Sequence, residues 1–290
     1  MVGSMQKKWN LFDIVNYTLL SLVGILTLLP FWHVLAVSLS SYENFVSSKF
    51  LLIPDFNFSA YYIVGTGKIY KSFLLTVFIV IVSTLLHLVI TTVSAYPLSR
   101  KYLRGRTYML VFILITMLFG GGLIPYYLLI RELGFMNNIM VYLIPGIFAG
   151  FNTILMKNFF MQIPDSLEEA AKIDGAGDLY ILYRLFIPLS MPIISTIALF
   201  YGVGKWNDWF TAVLFVDNSA LYPIQNILRA MVIEGKMDTL GSGIFKNEEF
   251  KLAISVKMAV IVAATLPIVF VYPFLQRHFV KGVLLGSIKS

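Results

Sequence analysis

The sequence has no cysteine, so disulfides, thiolate metal sites and cysteine nucleophiles are excluded. Histidine is nearly as scarce. His33, His87 and His278 stand far apart, and no set has metal-ligand spacing. No GxxxxGK[ST] phosphate loop occurs, so the chain offers no cradle of its own for ATP phosphates. Charge is short as well: 13% of the residues are charged, against about 25% in a soluble protein. What fills the gap is apolar. Of 290 residues, 58% are hydrophobic, and the mean hydropathy is +0.82. Such a composition describes an integral membrane protein, not a soluble globule with a large core.

Lys7 and Lys8 precede an apolar run from Ile14 to Leu39. That run exceeds the apolar core of a signal peptide, about 7–15 residues, and is long enough to span a bilayer, which takes about 20. It therefore reads as a retained first helix, although Ala36-Val-Ser38 weakly resembles a cleavage site. Met5 is a candidate alternative start, and the residues before it do not enter the reading. Long apolar runs predict six spans: Ile14–Leu39, Ser72–Tyr96, Tyr108–Ile130, Ile139–Phe160, Leu189–Trp206 and Leu252–Leu275. The fourth is the weakest, because it contains Pro145 and Asn152 and stops at Lys157. Its Gly146-Ile-Phe-Ala-Gly150 is either a site of close helix approach or chance. Gly120-Gly-Gly122 with Pro125 marks a break in span three, and Pro267 and Pro273 mark bends in span six; each is a hinge or a harmless kink.

Basic residues set the orientation. Lys7 and Lys8 form the first basic group; Arg100, Lys101, Arg104 and Arg106, then Arg277, Lys281 and Lys289, form two more, in segments free of acids. An even number of spans puts all three inside the cell, so charge and span count agree. The expected plan is a cytoplasmic tail (1–13), one six-span domain (14–280) and a cytoplasmic C-terminal tail (281–290). Lipid headgroups account for the basic residues, and no nucleic acid is needed.

The stretch 162–188 breaks the basic trend. It holds Asp165, Glu168, Glu169, Asp174 and Asp178 against Lys172 and Arg184. Ser166 with Glu169 forms a capping box, and Asp165 with Glu168 is a competing register. Both put carboxylates in a first turn, where the helix dipole favours them. Ala170 and Ala171 favour helix, and Gly175 sits where a helix ends in the left-handed conformation. A short helix, a turn and a second helical stretch to Pro188 follow.

The string Glu169-Ala-Ala-Lys-Ile-Asp-Gly-Ala176, with Ile187-Pro-Leu189 and Pro192 downstream, closely resembles the EAA loop of ABC-importer permeases in its carbohydrate-uptake form. Leu123–Gly134 with Asn137, Lys157–Pro164 and Trp206-Asn-Asp208 resemble other blocks of that family, so the likeness covers roughly residues 70–280. The chain is similar to the maltose-type permeases, in the branch of lipoprotein-associated and polysaccharide-fragment permeases. The resemblance implies an all-α membrane protein with the type I ABC importer permease fold. It implies a cytoplasmic coupling helix, between spans four and five, that docks in a cleft of the ATP-hydrolysing subunit. Glu169 and Glu168 would then pair with a basic group on that subunit. Ala170 and Ala171 would let the helix sit deep, and Asp174 and Gly175 would fix the turn that aims it. The plainer alternative is that Glu169 only caps its own helix.

The resemblance also implies partners: a second, related permease, two ABC ATPases, an extracellular sugar-binding protein and the bilayer of a bacterial cytoplasmic membrane. The chain would bind no cofactor, and ATP and Mg would sit on the ATPases. The cargo would be a sugar, with an oligosaccharide favoured; another cargo for the same kind of permease, or an ion-coupled carrier, are the rivals. Against the carrier stand the lack of a clear internal repeat and of a mid-membrane acid. Polar and aromatic residues in spans give a candidate pathway: Thr116, Phe119, Asn152, Trp206, Asn207 and Asp208. Trp206 and Trp209 also fit an interfacial aromatic belt. The outer segments 40–71 and 210–251, the latter with the run Glu234–Gly243, would face the binding protein. An enzyme reading fails. Gly175-Ala-Gly-Asp178 spells an intramembrane protease motif, but no second aspartate lies at bilayer depth to share a proton with it.

Overall fold

A computed structural model describes residues 10–48, 51–233 and 250–287; in the last stretch it describes the side chains of 253–271 and 273. Lys7, Lys8, the run Glu234–Gly243 and Lys289 lie outside the described residues. The described residues are mostly helical, with no strand among them. Two compact units divide the chain: residues 1–67 with 235–263, and residues 68–234 with 264–290.

The first unit contains α1 (Leu11–Ser38), α2 (Tyr42–Ser47) and α3 (Ser59–Val64). α1 buries Ala36 and Val37 at its end, where they meet Leu51, Phe45, Ile254 and Met258. Its upper turns leave Leu19, Leu22, Ile25 and Leu28 exposed, as a lipid-facing helix does. The segment after α1 is fastened by polar bonds: Trp32 Nε1 donates to Leu52 O at 2.9 Å, and Ser41 binds Asp55 through its N (2.9 Å) and Oγ (2.6 Å).

The second unit begins with α4 (Gly67–Ser99). After it come α5 (Arg106–Leu118), α6 (Leu123–Glu132), α7 (Met140–Leu143), α8 (Gly150–Phe160) and α9 (Asp165–Ile173). α10 (Asp178–Leu189), α11 (Met191–Trp206), α12 (Phe210–Phe215) and α13 (Ile224–Val232) follow. The last described helix is α14 (Phe250–Ser287), whose residues up to 263 belong to the first unit and from 264 to the second.

By length and hydropathy, three described helices can cross a membrane alone: Leu11–Ser38, Gly67–Ser99 and the stretch Ala253–Val271 of α14. Two bent pairs raise that number to five: α5 with α6, bent by 110°, and α10 with α11, bent by 85°. The first bend falls at the glycine run, where Gly122 takes φ 84°, a conformation that side chains with a Cβ avoid. The second follows a π-turn, Leu182–Phe186, just before Pro188. Proline has no N–H for the carbonyl four residues back, and a widened turn is one way to absorb the mismatch.

The expected fourth span is not a continuous helix. α7 stops at Leu143, and α8 starts at Gly150. Pro145 disfavours helix at the residue before it, and Gly146 sits at φ 74°. The break leaves helix carbonyls without intrahelical donors. Two are taken from other helices: Lys205 Nζ of α11 donates to Tyr142 O at 2.6 Å, and His87 Nε2 of α4 lies 3.0 Å from Leu143 O. Gly146 and Gly150 therefore do not share a helical face. Gly150 alone makes a close approach: a Cβ there would lie 2.9 Å from Ile113 Cγ2 and from Met117 Cγ on α5. Gly150→Leu is expected to destabilise the protein by about 1–3 kcal/mol through overpacking. A thermal melt of the detergent-purified variant checks this; an unchanged melting temperature would contradict the close packing of α5 on α8.

Candidate docking site

α9 begins directly after Pro164. No side chain caps it, so neither Ser166 with Glu169 nor Asp165 with Glu168 forms the expected capping box. Starting the helix at Asp165 puts Asp165 and Glu168 in the first turn, where the free N–H groups and the dipole favour acids. The far end follows expectation. Gly175 takes φ 82°, Gly175 N donates to Lys172 O at 3.0 Å, and Ala176 N donates to Ala171 O at 3.0 Å. This paired closure is the Schellman motif, which fixes both the end of the helix and the exit direction of the chain.

The two faces of α9 differ. Ala171, with Ala176 after it, packs on a core built from Ala95, Tyr96, Phe160, Ile163, Leu182 and Phe186. On that face Glu168 is buried, at 4% exposure, and so is Arg100 just past α4, also at 4%. Arg100 Nη1 donates to Glu168 Oε2 at 2.5 Å, and its Nη2 donates to Phe160 O at 3.2 Å. The guanidinium lies over the rings of Phe186 (4.7 Å) and Tyr96 (5.6 Å). Glu168 Oε1 accepts from Lys172 Nζ at 2.7 Å and from Tyr102 OH at 3.0 Å. Burial pushes the Glu168 carboxyl up. Hydrogen bonds from Lys172 and Tyr102 and the Arg100 charge outweigh it, and the carboxyl ends below its ordinary value. The hydrogen bond to Glu168 raises Lys172 above the usual lysine range. Asp178, at the start of α10, also faces Lys172 at 3.5 Å.

The other face is open. Glu169, Ala170, Asp174 and Gly175 are exposed, and Ile173 is 85% exposed. Beyond the turn, Leu179, Tyr180 and Tyr183 are exposed too. Of the six residues predicted for docking, the structure puts Glu169, Ala170, Asp174 and Gly175 outward, half-buries Ala171 and turns Glu168 inward. The residues missed by sequence reasoning are Arg100 and Tyr102. The signal was present: an acid-rich stretch and an acid-free basic loop, both assigned to the same membrane face.

The predicted pathway residues fall in three places: the end of α5 with Phe119 after it, α8, and the end of α11 with Asn207 and Asp208 after it. Trp206 is 6% exposed; its Nε1 donates to Ala264 O at 2.9 Å, and its ring meets Phe73 edge-on at 5.9 Å. Asn207 is exposed and accepts weakly from Gln225 Nε2 at 3.4 Å. Asp208 holds the start of α12, accepting from Thr211 N (3.1 Å) and Thr211 Oγ1 (2.7 Å). Trp209, half-exposed, lies under Arg229 at 4.1 Å. Thr116 and Phe119 sit exposed at the end of α5, and Asn152 is buried in α8. No hydrogen bond or ring contact joins these three to Trp206–Asp208 among the described residues. No cluster of histidine, aspartate and glutamate suited to a metal occurs among the described residues.

Comparison with known proteins places this arrangement. The chain is 45% identical to the polygalacturonan/rhamnogalacturonan transport system permease protein YtcP of Bacillus subtilis, over 98% of this chain and 100% of that one. It is 40% identical to protein LplC of the same organism, over 98% and 97%. It superposes with TM-score 0.83 and 32% identity on a chain of a bacterial ABC transporter involved in the import of the acidic polysaccharide alginate, covering 96% of this chain and 99% of that one. The fold is that of a type I ABC importer permease. Residues 17–285 match the model of the binding-protein-dependent transport system inner membrane component, and the chain belongs to that family.

Proposed function

We propose that this chain is a membrane-spanning subunit of an ATP-driven importer that carries an oligosaccharide across the bacterial cytoplasmic membrane. In this reading α9 is the coupling helix that docks on the partner ATPase. The observation that carries the reading is the division of α9 into a fastened face, held by Glu168, and an open face bearing Glu169, Ala170 and the Asp174–Gly175 turn. A peg that transmits force needs both.

The rest of the assembly belongs to the same proposal. With no phosphate loop in the sequence, ATP and Mg belong on separate ATPase subunits. α7 and α8 together make the fourth of six crossings, the polar break inside it being satisfied by Lys205 and His87. Both termini then lie in the cytoplasm. A second, related permease completes the pathway, and an extracellular binding protein delivers the sugar. The relatives named for polygalacturonan/rhamnogalacturonan and alginate support a fragment of a carboxylated polysaccharide as the cargo. Asn207, exposed just past the end of α11, and Trp209, half-exposed beside it with Arg229 over its ring, offer an amide and an aromatic side chain of the kind that hold sugar rings.

Purification in mild detergent from the native membrane tests the assembly. The expected result is co-purification of two ATPase copies and a second permease. The neighbouring binding protein should then take oligogalacturonate fragments in preference to neutral oligosaccharides of equal length. A chain that purifies alone under conditions preserving its activity would contradict the proposal.

A further inference from the structure

We infer that Arg100 is a positioning residue for coupling: a buried guanidinium strut that makes α9 and the end of α4 move as one body. The inference rests on the coupling reading above and adds to it the route by which movement at α9 reaches a membrane-spanning helix.

Arg100 follows Ser99, the last residue of α4. Its neighbours Lys101 and Arg104 are exposed, as headgroup-facing basic residues should be, whereas Arg100 is buried. Its donors are spread over three places: Nε to Ser99 Oγ at 2.9 Å, Nη2 to Phe160 O at the end of α8, and Nη1 to Glu168 on α9. The ring of Phe186 on α10 covers the guanidinium at 4.7 Å. One side chain thus contacts both helices that flank α9, α9 itself and the end of α4. A planar guanidinium bonds in fixed directions, whereas apolar contact is non-directional and permits sliding. Apart from the strut, α9 is held by the turns 161–164 and 174–177, by apolar packing of Ala171, and by contacts of Lys172 and Glu168 with Tyr102 and of Lys172 with Asp178. These contacts are non-directional or made through side chains less buried than Arg100. Without the strut it can pivot on the two turns, and a push on its open face is absorbed there instead of moving α4.

The test uses the complete importer in proteoliposomes and reads two quantities: sugar carried per ATP hydrolysed, and ATPase retained on the permease. Arg100→Met keeps an unbranched apolar stem and removes the guanidinium with its charge. The expected result is retained ATPase that still hydrolyses ATP, with sugar carried per ATP reduced by at least about tenfold, within the range of coupling between linked sites. Arg100→Met combined with Glu168→Leu removes the charge left behind, so membrane yield returns even if the single variant folds poorly. This pair is expected to remain uncoupled. A double variant carrying sugar at the wild-type ratio would overturn the inference, because a merely structural pair is replaceable by packed apolar groups. Glu169→Lys, on the open face, separates the two readings. If it sheds the ATPase while the Arg100 variants keep the wild-type ratio, docking stands and the strut falls. If Glu169→Lys and both Arg100 variants leave retention and ratio unchanged, the coupling reading itself falls.

Discussion

Gly175→Val is expected to reduce sugar uptake by at least about tenfold while the protein still reaches the membrane. Gly175 holds φ at 82°, a conformation that costs an L-residue roughly 1–2 kcal/mol and a β-branched one more. Each 1.4 kcal/mol or so is a factor of ten in an equilibrium or a rate. The strain has a local outlet. Gly175 is exposed and a Cβ there meets nothing within 4 Å, so the chain relaxes by opening the last turn of α9, not by unfolding. The bonds from Gly175 N to Lys172 O and from Ala176 N to Ala171 O are then lost, and with them the aim of the peg. Gly175→Asn should keep most of the uptake, because asparagine tolerates the left-handed region. Uptake by cells expressing each variant, set against the amount of permease in their membranes, checks this. Normal uptake by the valine variant would mean that the turn does not aim anything.

Glu168→Ala is expected to be the most destabilising single change at the site. It leaves Arg100 buried with a single carboxylate contact, the longer one of 3.5 Å to the exposed Asp165, and removing one partner of a buried ion pair costs about 3–5 kcal/mol. The measurable result is a large loss of folded protein in detergent, seen as a lower melting temperature and early aggregation. Glu168→Gln keeps the shape and loses the charge, and should fall between. The same carboxylate makes stability depend on acid. Its folded value lies below its ordinary one, so its contribution is complete above the unfolded value, near 4.3 for a free glutamate. The contribution is then lost as pH falls through the folded value. Melting temperature should therefore drop below about pH 4 in the wild-type protein, and less so in Glu168→Gln. Equal melting temperatures for wild type and Glu168→Ala would contradict the lock.

What the sequence disclosed and what it withheld divide along physical lines. Features set by neighbours in the chain were legible. Hydropathy marked α1, α4 and α14 because a bilayer needs about 20 apolar residues in a row. The glycine run marked the 110° break between α5 and α6, and Gly175 marked the end of α9. The EAA string pointed to the family that the comparisons show. Features set by distant residues were not legible. Glu168 and Glu169 are adjacent and chemically alike. One is buried and one exposed because Arg100, which lies 68 residues before Glu168, fixes which face turns inward. Arg100 itself looked like one more headgroup-binding residue in a basic loop. The helix start misled for a related reason: Pro164 already ends the preceding turn, so α9 begins at Asp165 and Ser166 is inside the helix instead of capping it. Pro145 warned of trouble in span four. That Lys205 and His87 would answer the freed carbonyls of Tyr142 and Leu143 depended on helix packing, which no local pattern encodes.

The most direct test of the account is sugar uptake by proteoliposomes holding the purified assembly, with ATP supplied only on the side of the ATPases and the binding protein only on the other. The account predicts uptake that needs both, and none from an ion gradient alone. Uptake by this chain alone, without ATP and driven by a proton or sodium gradient, would contradict it.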